Sequence, residues 1–131
     1  MLYTKCILKE KEESDGVRIS IMNRHTLNDG KTLDLRISEK SYDEWMQELS
    51  PPSNLLGDYY KRRLSWEDFE KRYKEYLQNK NIEVIVRKLA IRSIENDITI
   101  LCIEDNPEFC HRRILAEECK KYEVNLKILH R

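Results

Sequence analysis

Residues 98–130 read ITILCIEDNPEFCHRRILAEECKKYEVNLKILH, and this stretch decides the predicted fold. Its first part, 98–103, is an apolar run between polar residues, which is typical of a strand that is buried on both faces. A helix is predicted over 110–122 and a last strand over 126–129. A strand, a helix and a strand in this order predict a βαβ unit with a right-handed crossover. The stretch therefore indicates an α/β domain.

The first third of the chain contributes two further predicted strands. Residues 2–8 and 17–22 are rich in β-branched and apolar side chains, and they flank a polar turn at 12–16. A loop is predicted over 24–34 from its turn-forming residues. No repeat and no linker interrupts the chain, so we expect residues 1–131 to form a single domain. Its predicted form is three-layer-like, with a small mixed or parallel sheet and helices on its faces.

Four helices are predicted between the early strands and residue 98. The first begins at Ser41, and its apolar stripe consists of Tyr42, Trp45, Met46 and Leu49. It ends before Pro51, since proline cannot donate a helical hydrogen bond. The others are predicted over 54–63, from the N-cap Ser65 to Leu77, and over 82–95. The aromatic residues of the third helix have helical spacing, which favours core packing over a base-stacking platform.

Length and composition exclude several classes of protein. The chain has 131 residues, 40% of them hydrophobic, and a net charge of zero, which fits a folded domain rather than a disordered chain. No apolar run approaches the roughly 18–20 residues of a membrane-spanning helix, and the N-terminus does not look like a signal peptide. We therefore expect a cytoplasmic protein without a membrane partner. Three glycines cannot supply either common glycine-rich phosphate loop.

The zero net charge is the sum of alternating charged blocks. Residues 59–92 contain ten basic and five acidic side chains, whereas residues 93–110 contain five acidic and no basic ones. The basic groups Lys61, Arg62, Arg63, Arg112 and Arg113 are candidates for a surface that attracts phosphate. Solvated helix faces are the simpler interpretation of the same pattern. The neutral total argues against non-specific coating of DNA.

Four cysteines are present, and in this setting we expect reduced thiols rather than disulfides. One hypothesis is a zinc site made of Cys102, Cys110, His111 and Cys119. Tetrahedral zinc sites usually draw on closely spaced cysteine pairs, and this sequence has no C-x-x-C. We therefore assign no metal ligand and no particular cofactor, and we interpret Cys119 as a small apolar residue on a helix face.

The candidate site lies in the loop that follows the 98–103 strand. Ligands of α/β sheets bind beyond the carboxyl ends of the parallel strands, where loops lead into helix N-termini. Cys110 lies in the opening turns of the predicted helix, where the helix dipole and neighbouring basic groups are expected to lower its pKa. This favours a nucleophilic or redox thiol. An ordinary structural residue at the helix start is the alternative, for Cys110 and for His111 alike.

The other groups of this loop indicate acid–base chemistry and an anionic ligand. Glu104 is expected to orient His111, to pair with Arg112 or to act as a general base. Arg112 and Arg113 lie where the helix dipole disfavours cations, which points to an anionic partner. For Arg113, an ion pair with Glu117 four residues later is the alternative.

The same stretch resembles the C-terminal signature of the YeaO-like family, domain of unknown function 488. That signature is an apolar strand ending in Cys, then Glu, a turn with Pro, Cys-His-Arg, a helix and a last strand ending in His. The matching positions are Cys102, Glu104, Pro107, Cys110, His111, Arg112 and His130. Residues 43–77 are similar to the middle of the short family members. The resemblance implies a fold and a site position, and it implies no reaction.

One departure from the family pattern concerns the segment after the second strand. The short members carry Asp-Arg before a Pro-Arg-Gly turn, whereas this chain has Asn23-Arg24 followed by Leu-Asn-Asp-Gly at 27–30. The resemblance therefore implies Arg24 as a pocket residue, with Asn23 in place of the acid. A mechanism that needs this carboxylate is weakened.

These observations predict an enzyme with a pocket for an anionic ligand, either a small molecule bearing phosphate or carboxylate or a nucleotide. The predicted catalytic residues are Cys110, His111 and Glu104, and the predicted ligand-binding residues are Arg112, Arg24, Asn23 and Arg113. The alternative is a non-catalytic module that binds nucleic acid or protein through the basic 59–92 surface. A small molecule is favoured over nucleic acid as the partner, and the sequence indicates no oligomeric state.

Overall fold

The computed structural model describes all 131 residues and contains a five-stranded parallel sheet. Its strands are β1 (Leu2–Cys6), β2 (Val17–Ser20), β3 (Glu44–Trp45), β4 (Ile98–Cys102) and β5 (Ile128–His130). Their order across the sheet is β3-β2-β4-β1-β5, so β4 is the central strand. The predicted α/β class is confirmed, and every strand pairing is parallel.

Four α-helices accompany the sheet. They are α1 (Ser53–Lys61), α2 (Trp66–Leu77), α3 (Lys80–Glu95) and α4 (His111–Tyr122), and 3₁₀ turns cover Glu13–Asp15, Glu39–Ser41, Gln47–Leu49 and Pro107–Phe109. The helices predicted over 54–63, from Ser65 and over 82–95 are confirmed within a few residues. Ser65 caps α2 as expected, because its hydroxyl accepts the amide hydrogen of Asp68 at 3.1 Å.

The helix predicted from Ser41 to Leu49 is wrong. Two 3₁₀ turns occupy its ends, and the two residues of β3 lie between them, paired with the last two residues of β2. The indole Nε1 of Trp45 donates to the backbone carbonyl of Met22 at 2.7 Å, which anchors the segment to the end of β2. These tertiary contacts outweigh a local apolar spacing that suits a helix.

One face of the sheet packs against all four helices. The strands contribute Leu2, Ile19, Ile98 and Ile100 to this core, and the helices contribute Leu55, Phe69, Tyr73, Leu77, Val86, Leu89, Ile114 and Leu115. The aromatic residues of α2 are core residues, as their spacing predicts. Each fully buried aliphatic side chain stabilises the fold by about 1.5–3 kcal/mol, so this layer supplies most of the hydrophobic stabilisation.

The opposite face is covered by connecting segments and carries a buried ionic network. Lys5 and Arg18 point to this face, and their cationic groups lie 3.1 and 2.6 Å from the Asp15 carboxylate. Arg131 adds a third cation at 2.8 Å. The hydroxyl of Thr99 in β4 donates to the Asp15 backbone carbonyl at 2.7 Å. This face is therefore held by ion pairs and hydrogen bonds, whereas the four α-helices pack on the other face.

The pairing of β1 with β4 positions the site. Leu2–Cys6 pair residue by residue with Ile98–Cys102, so Cys6 and Cys102 are neighbours at the carboxyl edge of the sheet. β1 lies between β4 and β5, so the connection from β4 to β5 through α4 crosses β1.

None of the helices has both the length and the apolar character that crossing a membrane requires.

Candidate functional site

A pocket of about 470 Å³ opens at the carboxyl ends of β2 and β4. Its wall consists of the segment after β2, the loop that ends near Gly30, one side of α1, the first residues after β4 and His111. This is the edge at which ligands bind in α/β folds. The pocket therefore lies where the order of strand, loop and helix predicts it.

Cys102 and His111 form a thiol–imidazole pair in the pocket wall. The Cys102 Sγ lies 3.6 Å from His111 Nδ1, and His111 Nε2 lies 3.0 Å from the backbone carbonyl oxygen of Ile21. A carbonyl only accepts, so Nε2 carries a hydrogen, and in the neutral imidazole Nδ1 then presents its lone pair to the thiol. The ring of Tyr73 packs edge-on against the imidazole at 5.7 Å and holds its plane. The pair thus has an oriented base beside a thiol.

Cys110 lies behind this pair and does not line the pocket. It is the N-cap residue of α4, and only 1% of it is exposed. The predicted decrease in its pKa is wrong, because burial and the adjacent Cys102 thiol raise the pKa of Cys110 well above its ordinary value. His111 and Arg112 oppose this increase without cancelling it. A helix N-terminus stabilises a thiolate only when it offsets the loss of solvation, which it does not do here.

Glu104 presents its carboxylate to the pocket. The carboxylate accepts a hydrogen bond from the Tyr60 hydroxyl at 3.0 Å, and both residues are part of the pocket wall. Desolvation and the negative charge of Glu104 raise the pKa of Tyr60, so the hydroxyl remains a donor. The expected contact between Glu104 and Arg112 exists, but it uses the backbone carbonyl of Glu104 and not its carboxylate. The carboxylate does not bond to His111.

Arg112 is fully buried and holds the segment that follows β4. Its guanidinium donates to the backbone carbonyls of Glu104 and Asp105, the second at 3.0 Å. Its Nε has no hydrogen-bond partner, and no carboxylate pairs with the group. Arg112 does not line the pocket. The sequence predicts that Arg112 binds the ligand. In the structure it instead supports the pocket wall.

Arg24 and Asn23 both lie in the pocket wall, as the family resemblance implies. Arg24 is exposed, and its Nη1 donates to the Gly30 backbone carbonyl at 3.2 Å. The Asn23 side-chain amide donates to the Pro51 carbonyl at 3.3 Å, which ties this loop to the start of α1. Arg24 thus brings an exposed cation to the pocket, and Asn23 fixes the loop that carries it.

Ion pairs engage much of the positive charge predicted as a binding surface. Arg113 pairs with Glu70 at 2.5 Å and with Glu117 at 3.0 Å, so the Glu117 alternative is confirmed and Arg113 does not line the pocket. Five of the ten basic residues in 59–92 also have acidic partners. These are Arg62, Arg72, Lys74, Arg87 and Arg92. Binding of nucleic acid or protein by this surface stays a prediction.

The sequence does not predict that three of the pocket residues line the pocket. From the sequence, Cys102 is only a candidate zinc ligand and a position of the family signature, Lys61 belongs only to a basic surface, and Tyr60 has no predicted role. Cys102 is the last residue of β4, and the end of a central parallel strand is the signal that identifies it. Tyr60 and Lys61 lie at the end of α1, and both line the pocket. Helical spacing gives no indication that this end of α1 faces the carboxyl edge of the sheet, so the sequence offers no comparable signal for them.

One of the comparisons with known proteins found a match. A family model described as the active DUF488-N3 subclade matches residues 2–123. No curated protein and no solved structure matches the chain. The matched residues include the whole pocket wall, the Cys102–His111 pair and Arg112. The match covers well over half of the chain and ends before the signature residue His130, and the chain belongs to the DUF488 family.

Proposed function

We propose that the protein is an enzyme that binds a small molecule bearing phosphate or carboxylate and attacks it with the Cys102 thiol. One observation carries this proposal: the Cys102 Sγ lies 3.6 Å from Nδ1 of an imidazole whose other nitrogen is held by a backbone carbonyl. Thiol enzymes require a nucleophile, a base within reach and a third group that orients the base. Here Cys102 is the nucleophile, His111 is the base, and the Ile21 carbonyl orients the base.

The proposed reaction uses covalent catalysis. His111 Nδ1 accepts the thiol proton, and the Cys102 sulfur forms a bond to an electrophilic carbon or phosphorus of the substrate. The bond to the leaving group breaks, and the leaving group departs with the electron pair and takes the proton from the imidazolium. Water then attacks the thiol adduct while the Glu104 carboxylate accepts a proton from it, and the departing sulfur regains its proton from Glu104.

The nucleophile is assigned to Cys102 because this thiol lines the pocket and Cys110 does not. The same wall holds the Glu104 carboxylate within the pocket. His111 and Glu104 thereby keep the roles that the sequence suggests. Cys110 becomes a supporting residue at the start of α4. The description of the matched subclade as active also favours an enzyme.

Arg24 and Lys61 supply the positive charge that an anionic substrate needs. Both residues are exposed and line the pocket, and neither forms an ion pair with a carboxylate. An arginine can hold a phosphate or carboxylate through two parallel hydrogen bonds, and a lysine adds a point charge. The two cations come from different elements of the pocket wall, one from the segment after β2 and one from α1.

The test is site-resolved alkylation of the folded protein combined with turnover of chromogenic p-nitrophenyl phosphate and carboxylate esters. We expect iodoacetamide to modify Cys102 at least tenfold faster than Cys119, which is fully buried in the core. His111→Gln should slow alkylation of Cys102, and Cys102→Ala should abolish ester turnover. Cys119→Ala is the matched control and should retain it. Alkylation of Cys102 no faster than of Cys119 would overturn the proposal.

A further inference from the structure

Three metal-ligating atoms converge beside the pocket. The Sγ atoms of Cys102 and Cys110 and a ring nitrogen of His111 all lie within 4.8 Å of one another, and all three residues are buried. Cys102 ends β4, while Cys110 and His111 open α4, so the short loop between them folds the three together. Cys119 lies apart in the core, where its Sγ is 3.9 Å from the Val86 carbonyl oxygen.

The separation between Cys102 and His111 fits a tetrahedral ion. Zinc bonds to sulfur at about 2.3 Å and to nitrogen at about 2.0 Å, so a tetrahedral angle places the two ligand atoms roughly 3.5 Å apart. The observed separation between Cys102 Sγ and His111 Nδ1 is 3.6 Å. This pair can therefore accept an ion with little movement of either side chain. Two thiolates and one neutral imidazole also balance the charge of a divalent ion.

The imidazole already has the outer contact that metal-binding histidines require. Its Nε2 donates to the Ile21 carbonyl at 3.0 Å, which leaves Nδ1 free to ligate and fixes the ring. Metal-ligating histidines almost always donate their second nitrogen to a carbonyl or carboxylate in this way. This contact is independent of the two cysteines and points to the same ligand atom.

We propose that Cys102, Cys110 and His111 bind Zn²⁺ or a similar thiophilic divalent ion, with the fourth position of the ion open to the pocket. Cys102 and His111 line the pocket and Cys110 does not, so an ion among the three faces the pocket on one side only. Three protein ligands and one open position distinguish such a site from a closed structural zinc site. A substrate anion or a water molecule can fill that position.

The ion and the proposed nucleophile exclude each other. An ion on Cys102 and His111 occupies the sulfur and nitrogen lone pairs that thiol chemistry needs, so the metal-loaded protein cannot use Cys102 as a nucleophile. Binding of the ion itself does not depend on the proposed function, because it needs only the three ligands. Zinc is accordingly expected to act as a reversible inhibitor of ester turnover.

The test uses Co²⁺ as a spectroscopic probe on the folded protein after treatment with a chelator. We expect one Co²⁺ per chain, with thiolate-to-cobalt charge-transfer absorption and the visible bands of a tetrahedral ion, and displacement of both by Zn²⁺. Cys110→Ser should weaken Zn²⁺ binding at least tenfold. Cys119→Ser removes a thiol elsewhere and should leave the spectrum unchanged. Absence of the cobalt bands in the folded wild type would overturn the site.

A measurement on the wild type avoids any doubt about variant folding. Zn²⁺ should protect Cys102 and Cys110 from iodoacetamide and leave the labelling of Cys6 unchanged; equal labelling with and without Zn²⁺ contradicts the site. The two proposals fail separately. Rapid alkylation of Cys102 without cobalt bands would contradict only the proposed metal site. Cobalt bands without rapid alkylation of the metal-free protein would contradict only the proposed nucleophile.

Discussion

The guanidinium of Arg112 binds the backbone carbonyl of Glu104, and this contact ties the first turn of α4 to the segment that follows β4. The side chain of the same Glu104 faces the pocket and accepts the Tyr60 hydroxyl. A fully buried arginine therefore determines where a pocket carboxylate lies without entering the pocket itself. The residue that the family signature places next to His111 is thus a support for the site.

Replacing Arg112 with methionine should destabilise the protein by about 2–4 kcal/mol, because two backbone carbonyls lose the charged donor of a buried side chain. The measurement is the free energy of unfolding in urea. Lys120→Met, at an exposed position of the same helix, should change it by less than about 0.5 kcal/mol. An Arg112→Met protein as stable as the wild type would mean that other contacts hold the segment after β4.

Gly16 is required by a close approach of two backbone segments. Its φ is 64°, and a Cβ atom at this position would lie 2.0 Å from the Asp97 carbonyl oxygen. We expect Gly16→Ala to lower the free energy of unfolding by more than about 3 kcal/mol, because the strain of a left-handed backbone and the clash with the Asp97 backbone act together. Gly30→Ala is the control, because Gly30 has a φ of 71° and open space around it, and it should cost about 1 kcal/mol. Equal losses would contradict the clash.

The ion pair of Glu44 and Arg92 should make stability depend on pH. Two hydrogen bonds at 2.8 and 3.0 Å join β3 to α3, and the Arg92 guanidinium lowers the pKa of Glu44 below its ordinary value of 4.5. A lowered folded-state pKa stabilises the fold above pH 4.5, and this contribution disappears as the pH falls through the folded-state pKa.

The pair is partly exposed, so we expect a contribution of no more than about 1 kcal/mol at neutral pH. Urea unfolding at pH 7 and pH 3 measures it in the wild type and in Glu44→Gln. The variant should lose less stability between the two pH values than the wild type does. An identical loss in both proteins would show that the pair contributes nothing.

The Tyr73 hydroxyl donates to the Leu49 carbonyl at 2.5 Å in the core. Tyr73→Phe leaves this carbonyl unpaired and should reduce the free energy of unfolding by about 1–2 kcal/mol. The ring remains against His111, so the rate of Cys102 alkylation should not change. A slower rate in the folded variant would instead assign the hydroxyl a role in holding the imidazole.

The strand β4 and the start of α2 could be predicted because their signals are local. The 98–103 apolar run and the cap at Ser65 each depend on a few consecutive residues, and the structure has both elements. The segment from Ser41 to Leu49 could not be predicted, because the apolar spacing of a helix also suits a short strand between two 3₁₀ turns. Pairing with β2 decides between them, and that pairing joins residues some 25 positions apart.

The position of the site could be predicted, but the arrangement within it could not. Cys102, Glu104 and His111 line one pocket at the carboxyl edge of the sheet, which is where the fold rule for α/β sheets places ligands, but the predicted thiol is Cys110. Which thiol lines the pocket depends on how α4 rests on the sheet, and this places Cys102 in the wall and Cys110 behind it. The same packing buries Arg112, so its charge acts on two backbone carbonyls instead of on a ligand.

The central position of β4 also governs when the chain can fold during synthesis. β1 pairs only with β4 and β5, whose residues lie more than 90 positions later in the chain, and β2 pairs with β4 on its other side. Loops of this length must close before the sheet can form, which slows folding. β1 therefore has no strand partner until the residues of β4 and β5 have been synthesised, so the sheet forms late in folding.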